Sequence, residues 1–124
     1  MFNAKIEEKL IISRYILSKK IYGLLKESCK DNPENQEYLL SFLDIFSNHI
    51  GAGNFVIELL EAIFKNNDKI TSKLNKISFH KKGELEKNES LSFLKMLYCK
   101  AKEVASNERN LIITLISQLC FNGN

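Results

Sequence analysis

The chain has 124 residues, of which 44% are hydrophobic and 27% charged, with a formal net charge of +3. This length suits one domain with its own core, and one proline and five glycines are too few for a turn-rich β-sandwich or a disordered chain. No stretch reaches the ~18 apolar residues of a membrane span, and residues 1–10 mix charges where a secretory signal would be continuously apolar. We therefore expect a single soluble helical domain over residues 1–124.

Charge is distributed unevenly along the chain. Residues 1–30 contain seven Lys/Arg and three acids, residues 31–62 contain six acids and no Lys/Arg, and residues 63–124 contain eleven basic and six acidic residues. This layout could steer an anionic partner to the basic segments. The alternative is that oppositely charged helices lie side by side, or that these are solvated faces.

The three cysteines, Cys29, Cys99 and Cys120, form no CxxC or Cys/His pattern. Their odd number and wide spacing argue against a disulfide framework and against structural zinc. A reducing, cytosolic setting fits this usage. Because each cysteine lies in an apolar pattern, we expect all three thiols to be buried and inert.

The first predicted element is a long helix from Ala4 to Cys29. Basic residues fill the positions between its apolar ones, which recur at helical spacing: Ile6, Leu10, Ile12, Ile16, Leu17, Ile21, Leu24 and Leu25. A basic amphipathic helix can bind a membrane surface or a groove of another protein. In a compact helical domain it is more often simply a surface helix.

The second predicted helix begins at Pro33, whose missing N–H is not needed in a first turn. Asp31 or Asn32 precedes it as an N-cap. Its apolar stripe is predicted to be buried and comprises Leu39, Leu40, Phe42, Leu43, Phe46 and Ile50. Gly51 and Gly53 can adopt the left-handed conformation that ends such a helix.

Further helices follow in the second half of the chain. Asn54 is the predicted cap of "FVIELLEAIFK", a weaker helix is expected from Asp68 to about Lys76, and residues 80–89, "HKKGELEKNE", are expected to form a loop. Another helix starts at Ser90, and Asn107 is the predicted cap of the last one. The sequence therefore predicts an all-α fold of five to six antiparallel helices, arranged as an armadillo-like bundle or a short α-solenoid segment.

No pattern of catalytic or metal-binding residues is present, so we expect no enzymatic activity and no cofactor. His49 lies near a predicted helix end and His80 in a charged loop, and neither belongs to a metal or catalytic motif. Nucleic-acid binding is also not expected, because the aromatic residues lie on apolar stripes and not among the basic residues: Phe42, Phe46, Phe64, Phe93 and Tyr98.

Residues 35–74, "NQEYLLSFLDIFSNHIGAGNFVIELLEAIFKNNDKITSKL", resemble the RIH domain of inositol trisphosphate receptors and ryanodine receptors. The shared features are "NQEY" opening a helix at 35–38, Ile50-Gly51 ending it, and Asn66-Asn67 followed by Lys69. Residues 92–112, "SFLKMLYCKAKEVASNERNLI", are similar to a later helix and turn of the same family. The resemblance covers about two-thirds of the chain.

The resemblance implies a non-catalytic armadillo-like domain of an intracellular calcium-release channel, on the cytosolic side of the endoplasmic reticulum, and a piece of a larger chain. Inositol trisphosphate receptors carry a Tyr-Arg-Lys run before "NQEY", where this chain has Asn32, Pro33 and Glu34. The cations that would meet phosphates are absent and Glu34 would repel them, so an inositol phosphate site is not expected here.

The expected role is therefore interdomain packing that couples ligand binding to gating, as the resemblance to ryanodine receptors implies. Its partners would be neighbouring domains of the same channel or another protein. The predicted interaction surface comprises Glu34, Asn35, Gln36, Glu37, Lys19, Lys26 and Lys30; the alternative is that these side chains are merely solvated. A rival function is a free-standing helical interaction module, and a third is a basic binder of anions or membrane surfaces.

Overall fold

The computed structural model describes residues 4–74, 79–80 and 90–122 of the chain. Seven helices form in these residues: α1 (Ala4–Ser28), α2 (Pro33–Leu40), α3 (Leu43–Asn48), α4 (Asn54–Phe64), α5 (Asp68–Lys73), α6 (Phe93–Ala101) and α7 (Ser106–Asn122). Two strands of two residues each, β1 (Phe79–His80) and β2 (Ser90–Leu91), pair antiparallel. The predicted all-α fold is confirmed.

The predicted single helix over 33–50 is wrong, because it is two helices with a break at Ser41 and Phe42. The Ser41 hydroxyl donates to the carbonyl of Tyr38 at 2.6 Å, and the backbone N–H of Phe42 donates to Leu39 at 3.0 Å. Serine hydroxyls compete for backbone carbonyls in this way, and bonds between residues three apart tighten the turn. The break raises the number of helices above the expected five or six.

Helix α4 forms the centre of the fold. Seven of its eleven residues are buried, because the segment is apolar on nearly all sides: Phe55, Val56, Ile57, Leu59, Leu60, Ile63 and Phe64. Such a helix must be covered all round. Helices α1, α2, α3, α5 and α7 all pack against it, and α6 packs against α7. The core is therefore a helical bundle built around α4.

The junction between α3 and α4 follows the predicted glycine signal in part. Gly51 has φ of +110°, in the left-handed region that ends a helix, whereas Gly53 has an extended backbone. Gly53 is instead required because a Cβ atom there would overlap the Phe55 ring. Asn54 is the first residue of α4 and not its cap, and its Oδ1 accepts from Nδ2 of Asn107 at 3.1 Å.

Three other boundaries differ from the predictions. Helix α5 ends at Lys73, and the predicted extension to Lys76 lies outside the described residues. The helix predicted from Ser90 begins at Phe93, because the Ser92 hydroxyl accepts from the Lys95 N–H and caps it. Asn107 lies inside α7 and is not its cap. Of the predicted loop over 80–89, only His80 is described, in β1.

Helix α1 packs against the bundle through two tyrosines. Tyr22 is its buried residue, with ring centroids 5.8 Å from Phe46 and 5.3 Å from Phe55. Tyr15 meets Phe55 edge to face at 5.6 Å. Both tyrosines therefore pack against the bundle, although every residue from Ala4 to Leu17, Tyr15 included, is classed as exposed.

Two thiols and one ring predicted to be buried lie on the surface. Cys29 is buried as expected, but Cys99 and Cys120 are exposed. Tyr98 is also exposed, and the ammonium of Lys102 lies 4.6 Å from its ring centroid. On α6 the inward face comprises Phe93, Met96, Leu97 and Ala101. Tyr98 and Cys99 lie between the last two and point outward.

Candidate functional site

The first turn of α2, where the interaction surface was predicted, is an internal joint of the fold. Asn32 caps this helix, accepting from the Asn35 N–H at 3.0 Å. The Asn35 amide donates to the carbonyl of Ser28 at 2.8 Å, which ties α2 to the end of α1. Asn35 is half-buried, so its polar group is already used within the chain.

Gln36 is the centre of this joint and does not belong to a surface. Its side chain is buried, with only 5% of its area exposed, and it forms three hydrogen bonds. Nε2 donates to the carbonyls of Ala62 and Lys65, each at 2.9 Å, and Oε1 accepts from Nδ2 of Asn67 at 2.9 Å. Carbonyls near the end of a helix lack a helical N–H donor. The Gln36 amide donates to two such carbonyls at the end of α4. Its place in the predicted surface is therefore wrong.

The two asparagines after α4 are structural as well. Asn66 has φ of +54°, a left-handed conformation that asparagine tolerates better than most residues. Asn67 caps α5, because its Oδ1 accepts from the Ile70 N–H at 3.2 Å. The "NQEY" and "NN" segments, both part of the family resemblance, thus meet in one hydrogen-bonded network.

Glu37 is occupied by two cations of α5. Its carboxylate forms an ion pair with Lys73 and another with Lys69, the latter at 3.7 Å. The hydrogen bond from Lys73, with the charges of Lys69 and Lys73, lowers the pKa of Glu37 below its ordinary value of 4.5. This cluster joins α2 to α5 by ion pairs. It supports the alternative interpretation of the uneven charge distribution, in which oppositely charged helices lie side by side.

The remaining members of the predicted surface are dispersed. Lys26 pairs with Glu58 of α4 at 3.6 Å. Glu34 and Lys30 are exposed near the α1–α2 turn, and Lys19 lies on α1 beside a cleft. Among the described residues, Glu34, Lys30 and Lys19 take part in no ion pair. The structure does not gather the seven residues into one face, and whether the exposed ones bind a partner stays a prediction.

The cleft beside Lys19 has a volume of about 430 Å³. It lies between α1, the start of α4 and the start of α7, and Tyr15, Asn54 and Glu108 contribute to its walls. Glu108 is 5% exposed, and its Oε1 has no hydrogen-bond partner in the described structure. Lys19 also lines the cleft, but it forms no ion pair with Glu108 among the described residues.

No catalytic arrangement is visible in the part of the chain that the structure describes. His49 ends α3, and its Nδ1 is hydrogen-bonded to the Tyr22 hydroxyl at 2.5 Å. Burial raises the pKa of Tyr22, so its phenol stays protonated at neutral pH. Within residues 4–74, 79–80 and 90–122, no group of three or more His, Cys, Asp or Glu residues could hold a metal ion.

The outer face of α1 is the feature that sequence reasoning missed. Leu10, Leu17 and Leu24 are seven residues apart, and their exposed fractions are 46%, 59% and 73%. The spacing of seven residues was visible in the sequence, but it occupies only one position of a heptad, whereas a coiled coil needs two apolar positions. The sequence did not show that this row points away from the bundle.

No described helix is both long enough and apolar enough to cross a membrane. Protein-family models, curated proteins and solved structures yield no match to the chain.

Proposed function

We propose that the chain is a non-catalytic helical packing domain of an intracellular calcium-release channel. In this setting it lies on the cytosolic side of the endoplasmic reticulum membrane and transmits movements between neighbouring domains. The observation that carries the proposal is the network of Gln36 with the end of α4 and with Asn67. It joins two segments on which the family resemblance rests.

The chemistry of this network supports a scaffold in preference to a ligand site. Gln36 and Asn67 direct their polar groups at each other and at backbone carbonyls, and Glu37 is neutralised by Lys69 and Lys73. Buried polar groups that are fully paired rigidify the elements they join. A rigid block of this kind can pass on a displacement of α1 or α5 to the rest of the bundle.

The start of α2 supports the absence of an inositol phosphate contact at that position. Helix N-termini attract phosphates, but here Asn32 already caps the helix and Glu34 adds negative charge to the first turn. Titration of the protein with inositol trisphosphate, followed by calorimetry, should therefore give no saturable binding. Saturable binding that is lost on Glu34→Ala would contradict this part of the proposal.

The channel setting is tested by measuring the size and the cellular location of the natural gene product. An antibody raised against this domain is applied to fractionated cells of the source organism. We expect a band far above the 14.3 kDa of this chain, in the membrane fraction. A band near 14.3 kDa in the soluble fraction would overturn the channel setting.

A free-standing helical interaction module is the second candidate. It is favoured by the exposed apolar row on α1, which is available to a partner whether or not further domains belong to the same polypeptide. The fractionation experiment separates the two candidates directly. The packing function is common to both, and only the identity of the neighbour differs.

A further inference from the structure

The cleft between α1, α4 and α7 shares no residue with the Gln36 network and has the size of a small-molecule site. Its volume is about 430 Å³, within the range of about 300–1,000 Å³ typical of ligand sites. The rings of Tyr15 and Phe55 meet edge to face at 5.6 Å, and Nδ2 of Asn107 donates to Oδ1 of Asn54 at 3.1 Å. The walls are therefore held in place by contacts within the fold.

Glu108 is the residue of the cleft that indicates a ligand. Only 5% of its area is exposed, and its Oε1 is buried without a hydrogen-bond partner among the described residues. Burying a carboxylate without a partner costs free energy, so such a group in a folded protein requires an explanation. Glu108 lies in the first turn of α7, where the helix dipole favours a negative charge. The dipole does not supply a hydrogen-bond donor to Oε1.

The cations near Glu108 do not supply this donor either. Its neighbour Arg109 donates to two backbone carbonyls. Lys26 pairs with Glu58, the other acid that lines the cleft, at 3.6 Å. Lys19 lines the cleft without forming an ion pair in the described part of the chain. The Glu108 carboxylate is therefore an acceptor for a cation from outside these residues.

The composition of the walls favours an organic ammonium group over a metal ion. Ca²⁺ and Mg²⁺ require about six oxygen ligands, and no group of three or more His, Cys, Asp or Glu residues among the described positions could hold a metal. An ammonium group needs one carboxylate as acceptor and is attracted to the faces of aromatic rings. Tyr15 and Phe55 line the same cleft as Glu108. Lys19 opposes a cation, but its side chain is exposed, so salt screens the repulsion.

We propose that the cleft between α1, α4 and α7 binds an organic ammonium group, which forms an ion pair with Glu108 and is covered by the rings of Tyr15 and Phe55. A rotation of the carboxylate brings Oε1 to the ligand without movement of the backbone, because the last torsion of a glutamate side chain is broad. A small free amine carries this group, and so does a lysine side chain of a neighbouring polypeptide. The proposal goes beyond the packing function and does not rest on it.

The test is an NMR titration of the isotopically labelled full chain at low ionic strength. Its ligands share one alkyl chain and differ in the head group: butylamine, 1-butanol and butyrate. We expect butylamine to shift the backbone amide signals of Gly51, Gly53 and Asn107 saturably, because these residues line the cleft. 1-Butanol and butyrate should bind at least about tenfold more weakly, since neither offers a charged donor.

Glu108→Gln keeps the shape of the side chain and removes its charge. It should weaken the binding of butylamine at least about tenfold. Glu103→Gln makes the same change in net charge at an exposed position outside the cleft, so it should retain the binding. Thermal unfolding of both variants checks that the fold is kept.

Lys19→Glu is a second variant, which does not disturb a buried position. Lys19 is exposed, so its replacement should leave the fold intact. The variant replaces a like charge beside the ligand by an opposite one, so butylamine should bind severalfold more tightly. Weaker or unchanged binding in Lys19→Glu would contradict an ammonium site in this cleft.

Nα-acetyl-lysine methylamide identifies the source of the ammonium group. Tighter binding of this capped lysine than of butylamine assigns the site to a polypeptide partner, whereas equal or weaker binding assigns it to a free amine. The proposal is overturned if butylamine causes no saturable shift, if 1-butanol binds equally well, or if Glu108→Gln binds butylamine as tightly as the unaltered chain. None of these outcomes affects the fractionation result, on which the channel setting depends.

Discussion

Gln36 has a larger structural role than any other polar side chain of α2. It serves two carbonyls near the end of α4 and one amide of the loop that follows. Replacing it by leucine keeps the volume and leaves these three groups without their partner. Since an unsatisfied buried group costs about 1–3 kcal/mol, we expect Gln36→Leu to lower the free energy of unfolding by about 2–3 kcal/mol. Urea denaturation measures this difference.

Glu34→Gln is the matched control on the same turn. Glu34 is exposed and forms no ion pair among the described residues, so its substitution should change the stability by less than about 0.5 kcal/mol. If the two variants were equally stable, the Gln36 network would not hold α2 to the end of α4.

Glu37 gives the fold a dependence on pH. Because its pKa is lowered in the folded chain, its contribution to stability is present above its ordinary value of 4.5 and is lost as pH falls through the folded value. We expect Lys73→Met to move the titration midpoint of the Glu37 carboxyl upward, toward 4.5, because Lys73 makes the largest contribution to the shift. NMR titration of the side-chain carboxyl carbon measures the midpoint.

Lys26→Met is the corresponding control, since Lys26 pairs with Glu58 and not with Glu37. It should leave the Glu37 midpoint in place. An unchanged midpoint in Lys73→Met would show that the ion pair between α2 and α5 does not persist in solution.

Tyr22 is the buried residue that anchors helix α1 in the core. Tyr22 is buried against Phe46 and Phe55, and its hydroxyl meets His49. Removing a large buried aromatic side chain costs about 3–5 kcal/mol, so we expect Tyr22→Ala to destabilise the protein by about that amount or to release α1. Hydrogen exchange of the α1 amides distinguishes the two, because release accelerates exchange in α1 alone.

Leu24→Ala is the matched control for Tyr22→Ala, because Leu24 lies two residues further along the same helix but is exposed. Leu24 is 73% exposed, so its truncation should change the free energy of unfolding by less than about 0.5 kcal/mol. A large loss from Leu24→Ala would show that the Leu24 side chain is packed against the bundle in solution.

The sequence showed where helices form more clearly than it showed how they pack. The start of α2 at Pro33 and the burial of α4 were predictable, because a cap, a proline and a continuous apolar segment are local signals. The break at Ser41 and Phe42 was not, because a serine within a helical pattern does not reveal whether its hydroxyl will compete for a backbone carbonyl. On α1, apolar residues occupy so much of the circumference that only contacts with Phe46 and Phe55 decide which face is buried.

The same limit explains what the sequence revealed about the site. Asn35 to Glu37 are polar residues in a first turn, a position typical of exposed side chains. Their partners lie far away along the chain, at Ser28, Ala62 and Lys73 among others. Exposed polar residues and polar residues paired at long range look alike in a single sequence. The seven-residue spacing of Leu10, Leu17 and Leu24, in contrast, was visible in the sequence. The exposure of these side chains follows only from the fold.

At the scale of the whole molecule, the core lies around α4 and the first residues of α1 are exposed. Deleting residues 1–14 removes only exposed side chains among those described, so the core around α4 is untouched. We expect the deletion to change the free energy of unfolding by less than about 1 kcal/mol. The denaturant dependence should also change little, because it scales with the surface exposed on unfolding, and this segment is exposed already.

Deletion of residues 1–22 serves as the contrasting variant. It also removes Tyr15 and Tyr22, which uncovers Phe55 and Phe46, so cooperative unfolding should be lost or the midpoint strongly lowered. If deletion of residues 1–14 were as harmful, the first half of α1 would have to be packed against the bundle in solution.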